Sequence, residues 1–280
     1  MERQPLSIRK SQASIDGAGV RLRRAFGFGD SAESDPFLLL DDLRNDRSKD
    51  FIRGFPWHPH RGIETITYML DGRVEHQDSM GNRGVIGAGS VQWMTAGRGI
   101  IHQEMPVDDG SGKMGGFQLW TNLPAKDKMM KPRYQDIESA AIPERLLADG
   151  SKVRVIAGDF EGTQGPVEGI VTEPEYFDLH LAPGADLVHR VEPGKRAFAY
   201  VFGGSGRFGE GPVVDNGTIV FFTDGDSIRL RAATDSDFRL LFCSGMGLGE
   251  PVAWRGPIVM NTSEELDLAF KQLERGDFII

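Results

Sequence analysis

Short runs of apolar residues, some alternating with polar ones and some continuous, recur along the whole chain between clusters of Gly, Asp and Asn. That rhythm predicts strands. The stretch 64–70 ends on Asp71-Gly72, a strong hairpin signal, and 90–94, 152–156, 198–202, 218–222 and 238–242 have the same β-branched and aromatic character. Helical periodicity is sparse. It is clearest near the C-terminus, where Thr262 and Glu265 form a capping box ahead of Leu266, Ala269, Phe270 and Leu273, spaced to make one apolar stripe. Pro124, at a first helical position, predicts one or two further turns through Met129.

The strand pattern repeats. Gly89-x5-Thr95-x-Gly97 recurs as Gly217-x5-Thr223-x-Gly225, and Tyr68-Met69-Leu70-Asp71-Gly72 parallels Tyr200-Val201-Phe202-Gly203-Gly204 at nearly the same separation. The chain is therefore expected to be all-β, with two similar domains at 1–135 and 150–280, the second including the C-terminal helix. The polar, Pro-containing stretch 136–149 is expected to link them.

Composition narrows the class. With 280 residues, 39% hydrophobic and 26% charged, the chain can bury a sizeable core in either domain. A net charge of -9 and the absence of a Lys/Arg cluster argue against direct binding to nucleic acid, which needs basic groups to neutralise phosphate. The single cysteine, Cys243, sits in an apolar run, so it excludes an internal disulfide and is expected to be a small buried hydrophobe. The N-terminal residues carry no apolar signal core and no run is long enough to span a membrane, so a cytoplasmic protein is expected.

The chemistry concentrates in two short pairs, His58-Pro59-His60 and His102-Gln103-Glu104. Residues two apart on a strand face the same side, so each pair aims two donors at one point, and two such pairs complete one metal site. Imidazole and carboxylate suit Fe(II), Mn, Co, Ni, Cu or Zn rather than ions that want thiolate. Carried across the repeat, these positions fall on Arg190, Glu192, Leu230 and Ala232, so the second domain is expected to lack the site. His76, His180 and His189 have no partner at ligand spacing and are expected to be structural or surface residues.

Two long blocks, 54–65 and 92–106, carry a resemblance to the pirin family of bicupins, and the segments 118–129 and 256–262 resemble further signatures of that family. The resemblance implies two antiparallel β-barrel (jelly-roll, cupin) domains facing each other, with one metal, usually iron, in the N-terminal one. It implies His58, His60, His102 and Glu104 as ligands. A general cupin pattern, His-x-His-x3-Glu, would nominate Glu64 instead. The resemblance places the carboxylate at Glu104, which shares a strand face with His102, and leaves Glu64 with a hydrogen-bonding role.

The same resemblance implies a quercetin 2,3-dioxygenase, opening a flavonol ring with dioxygen. Glu104 would accept the flavonol's hydroxyl proton, Fe(II) would be the metal, and Phe55, Trp57, Met94 and Trp120 would wall a pocket for a flat aromatic substrate. The alternative it implies is a noncatalytic, iron-dependent regulator that binds a transcription factor or metabolic enzyme.

Overall fold

At the centre of one half of the fold lies the strand Ile63–Asp71, paired antiparallel with Gly115–Asn122 on one side and with Val91–Thr95 on the other. In this computed structural model, which describes residues 1–279 apart from 109 and 111, it belongs to a seven-stranded sheet. A second, four-stranded sheet places Phe55–His60 at its edge, followed by Ile100–Pro106, Val74–Asp78 and Arg83–Ile86. An edge is where Pro56 and Pro59 fit, because a proline has no N–H to give to a neighbour on that side. Leu22 and Met69 of the first sheet, Val74 and Ile86 of the second, and Phe51 and Met114 from the connections form one buried apolar cluster. The arrangement is a jelly-roll of two packed sheets with open edges, and not a closed barrel.

The chain divides into two compact units, and the division differs from the expectation at both ends. Residues 13–31, 37–140 and 248–280 form the first-half unit, and residues 1–12, 32–36 and 141–247 the second-half unit. The passage at 140/141 falls within the stretch 136–149, which is itself ordered, with a one-turn 3-10 helix at Ser139–Ala141 and a strand at Glu144–Leu146. The tail, expected with the second domain, groups with the first half, because it hydrogen-bonds there: Val259 N donates to Arg61 O at 3.1 Å. Glycine permits that approach. Gly62 has φ 78°, and a Cβ on it would stand 1.9 Å from Val259 O.

The tail carries the helix Ser263–Arg275, begun by the capping box of Thr262 and Glu265 and ended by Gly276 in the left-handed conformation at φ 76°. Its Leu266 and Ala269 join Ile258, Met260 and Phe278 in a small core. At Pro124 the expected helix is a single turn, in which Asp127 N and Lys128 N both donate to Pro124 O.

In the second-half unit the strand Lys195–Phe208 organises a ten-stranded sheet. Its first part pairs with Phe238–Met246 and Thr218–Phe222; past Gly204, at φ 64°, it turns to pair with Ser227–Ala232. Phe177, Val201, Phe208, Phe222 and Phe242 lie in the core so enclosed. The repeat read from sequence is visible in the register: Tyr68 faces Val91 and Tyr200 faces Ile219, each the first apolar residue of its Gly-to-Thr strand. The N-terminal strand Pro5–Lys10 adds to this sheet beside Thr218–Phe222. The buried Arg3 guanidinium fixes its start by donating to the carbonyls of Lys195, Glu192 and Gly225. Cys243 is fully buried, and burial pushes its thiol up. Among the described residues no helix is long and apolar enough to cross a membrane.

Candidate metal centre

The strand Phe55–His60 pairs antiparallel with Ile100–Pro106, and the register sets His102 directly across from His58. His60, two residues along the same strand, faces the same way. The three rings converge, with centroids 4.4 Å apart for His58 and His102, 4.8 Å for His58 and His60 and 5.0 Å for His60 and His102. One ligand atom from each lies within 4.8 Å of the others. Among the described residues this is the one such group of three or more His, Cys, Asp or Glu.

The hydrogen bonds of these rings favour a cation at their centre. His58 Nδ1 is 2.9 Å from Pro56 O and His60 Nδ1 is 3.0 Å from Pro257 O. Each Nδ1 therefore carries the proton it donates to a carbonyl, and Nε2 keeps a free lone pair, the arrangement found where histidines bind metal. His102 is only 1% exposed, yet neither of its ring nitrogens has a hydrogen-bond partner in the protein. A buried polar group left so is costly unless something occupies it. Burial, reinforced by the neighbouring imidazoles, pushes both His60 and His102 well below the usual histidine range, so both rings are neutral at physiological pH. Three imidazole nitrogens fit a divalent transition metal.

The depressed values have a consequence for the metal-free protein. In the unfolded chain these histidines protonate near 6.5, the ordinary histidine value. In the folded chain they resist protonation until far lower pH. Below about 6.5 the unfolded state thus binds more protons, and stability falls with pH by about 1 kcal/mol per pH unit for each imidazole. Urea denaturation of metal-free protein between pH 7 and 5 is expected to show this loss, and a variant lacking His102 a shallower one.

Glu104 follows His102 on the same strand face and is 4% exposed, but it stands outside the three-histidine group. Thr67 Oγ1 donates to its Oε1 and Gln118 Nε2 to its Oε2, both at 2.9 Å. Glu64 faces the other way. Alternation along Ile63–Asp71 sends Thr67 toward Glu104 and Glu64 to the opposite side of the sheet, where it accepts from Thr95 at 2.6 Å and from Thr121 at 3.4 Å. It takes a hydrogen-bonding role there, and burial pushes its carboxyl up.

A cavity of about 600 Å³ opens on His58 and His60. Phe55, Trp57 and Trp120 line it, with Trp57 about half exposed at 49%. Trp120 packs edge-on to His60 with centroids 5.0 Å apart. Met94 does not line it. It lies one layer behind, in the core with Leu38, Ile63, Ala96, Ile100 and Val259, and Trp120 packs against that cluster.

Sequence reasoning missed several residues. Phe28 and Trp254 add aromatic walls, Trp254 from the tail, with centroids 5.5 Å apart. Gln118 lines the cavity and links its wall to Glu104, since Trp120 Nε1 donates to Gln118 Oε1 at 3.4 Å. Arg24 grips Asp41 through Nε and Nη2 at 2.8 and 2.7 Å, and its Nη2 also reaches Asp16. Asp41 is the next-to-last residue of an apolar strand, Phe37–Asp42, and a carboxylate there was the available signal. The other histidines have local partners. His76 stacks on Tyr134 at 5.9 Å, His180 meets Asp237 at 2.9 Å, and His189 sits among Phe160, Phe177 and Phe242 with Glu175 3.4 Å away.

Comparison with known proteins agrees with this architecture. The Pirin family model matches residues 19–121, and the model of the Pirin C-terminal cupin domain matches residues 176–279. A "Pirin-like protein" of Caulobacter vibrioides is 47% identical, covering 99% of both chains. A Pseudomonas aeruginosa protein named "Putative quercetin 2,3-dioxygenase" is 43% identical, covering 98% of this chain and 97% of its own. The crystal structure of a quercetin 2,3-dioxygenase from Acinetobacter baumannii superposes with a TM-score of 0.90 at 31% identity, covering 100% of this chain and 99% of that one. Matched in both halves and aligned almost end to end with such relatives, the chain belongs to the pirin family.

Proposed function

We propose that this chain is a metal-dependent dioxygenase that opens the ring of a flavonol such as quercetin. The observation that carries the reading is the cavity: about 600 Å³, walled by Phe55, Trp57 and Trp120 and open to two of the three converging histidines. That volume suits a drug-sized planar ligand. A regulator that binds only a protein partner has no need of such a space beside its metal. The names of the Pseudomonas and Acinetobacter relatives point the same way.

His58, His60 and His102 would hold the ion. Fe(II) is the metal we propose, with Mn, Co, Ni, Cu and Zn compatible with the same donors. A bound divalent ion supplies a Lewis acid for the flavonol's adjacent hydroxyl and carbonyl oxygens and a centre at which dioxygen reacts. The aromatic walls orient the flat substrate and exclude water from it. Glu104, which the resemblance makes a fourth ligand, is held here by Thr67 and Gln118. Each of its oxygens keeps a further lone pair, which suits it to take the proton of the flavonol hydroxyl. Gln118 fixes Glu104 and Trp120 together, so the base and the wall are placed as one piece.

Protein loaded anaerobically with Fe(II) and mixed with quercetin in air is expected to bleach the flavonol while consuming one dioxygen per flavonol. Bleaching no faster than with metal-free protein would defeat the proposal.

A further inference from the structure

His60 takes its orientation from a backbone carbonyl far along the chain, that of Pro257, at 3.0 Å. The accuracy of that bond depends on how firmly the tail segment is held beside the His60 strand. Arg61 pairs with Ile258 as an isolated parallel bridge. A slip of one residue in such a pairing would turn the Pro257 carbonyl away from the ring.

Two buried basic side chains stand against that slip, and burial pulls the Lys128 ammonium down to about 7. Lys128 is 1% exposed, and its Nζ donates to Gly62 O at 2.9 Å, to Val259 O at 3.2 Å and to Asn122 Oδ1 at 2.6 Å. Three oxygens match the three protons of an ammonium. Two of those oxygens belong to the very segments that must stay in register, each two residues beyond the His60–Pro257 pair. The Pro124 turn aims the side chain, since Lys128 N donates to Pro124 O. On the other side, the Arg61 guanidinium, 2% exposed, donates to Gln272 Oε1 at 2.6 Å and to Phe278 O at 2.7 Å, with its carbon 4.2 Å from the Phe278 ring centroid. That fork ties the helix and the chain end to the residue next to His60. Burial of an ammonium is expensive unless its hydrogen bonds are all met, so a lysine kept there points to a role that an apolar residue would not fill.

We propose that Lys128 is a positioning residue for the metal centre, clamping the tail so that the Pro257 carbonyl holds His60 with Nε2 toward the ion. The inference rests on reading the three histidines as ligands. By linkage, an ion that needs His60 in this orientation also tightens the clamped tail.

The test uses Zn(II), which is diamagnetic, in competition with a chelator, and nitrogen NMR of the histidine rings. Wild-type protein is expected to bind about one zinc per chain with the His60 proton on Nδ1. Lys128→Met is expected to weaken zinc by on the order of 10- to 100-fold and to give His60 mixed tautomers, with the ring signal of His58 unchanged. A folded Lys128→Met protein that binds zinc as tightly as wild type, with His60 still protonated on Nδ1, overturns the clamp while leaving the metal centre intact. Failure of wild type to bind zinc removes the metal reading, and the clamp with it. Should Lys128→Met not fold, Lys128→Arg, which keeps a positive charge but whose planar fork cannot match the three-oxygen cradle, is judged by the same two readouts.

Discussion

Replacing His102 by Leu is expected to abolish stoichiometric metal binding and flavonol-dependent oxygen uptake, and at the same time to stabilise the metal-free protein. The two effects share one cause. His102 is buried with both ring nitrogens unpartnered, and leaving polar groups so costs about 1–3 kcal/mol. Leu has a similar volume and no such groups, so urea denaturation of the metal-free proteins should favour the variant by about 1 kcal/mol or more. Sites kept for function are where local stability rules are broken. A variant less stable than wild type and still loaded with metal would show that His102 is a packing residue. His58 offers a contrast, because its Nδ1 is satisfied by Pro56 O and it is only half-buried. His58→Leu should lower metal affinity without the gain in stability.

The second large effect is expected at Glu104. In Glu104→Gln the three imidazoles remain, so the protein should still take up its ion, while kcat for flavonol cleavage falls by about 10²–10⁴, the usual worth of a positioned base. The substitution also sets the new amide against the Gln118 Nε2 donor that now serves Oε2. Gln118 can turn its amide to answer that, at the expense of the Trp120 hydrogen bond, and a stability loss of about 1 kcal/mol is expected. Oxygen-electrode rates at saturating quercetin, alongside metal analysis of the same sample, separate the two roles. An unchanged kcat would remove Glu104 as the proton acceptor; lost metal would make it a ligand first.

Much of this molecule is legible in its sequence because the signals are local. Strands such as Ile63–Asp71 and Thr218–Phe222 carry their own apolar pattern and end on their own turns. The helix Ser263–Arg275 announces both ends, with Thr262 and Glu265 at one and Gly276 at the other. The convergence of His58, His60 and His102 could be anticipated because a strand's period of two puts i and i+2 on one side. What stayed hidden is long-range or carried by the backbone. Nothing in the identity of Pro257 says that its carbonyl will meet His60, and the tail's return to the first half depends on a close approach that only Gly62 allows. Met94 was misplaced because both faces of Val91–Thr95 are buried, so its apolar character could not say which face looks into the cavity. Trp254 and Phe28 join the pocket through folding of distant segments. Glu64 satisfied a familiar spacing, and the alternation of its strand took it to the other side.

The claim on which the rest depends is that the three histidines form a metal centre. X-ray absorption at the metal edge, with elemental analysis of the same sample, tests it most directly on protein isolated without added metal from the cells that naturally make it. The account predicts about one divalent transition-metal ion per chain, coordinated through imidazole nitrogens. Protein free of such an ion, or an ion bound without imidazole, would contradict it.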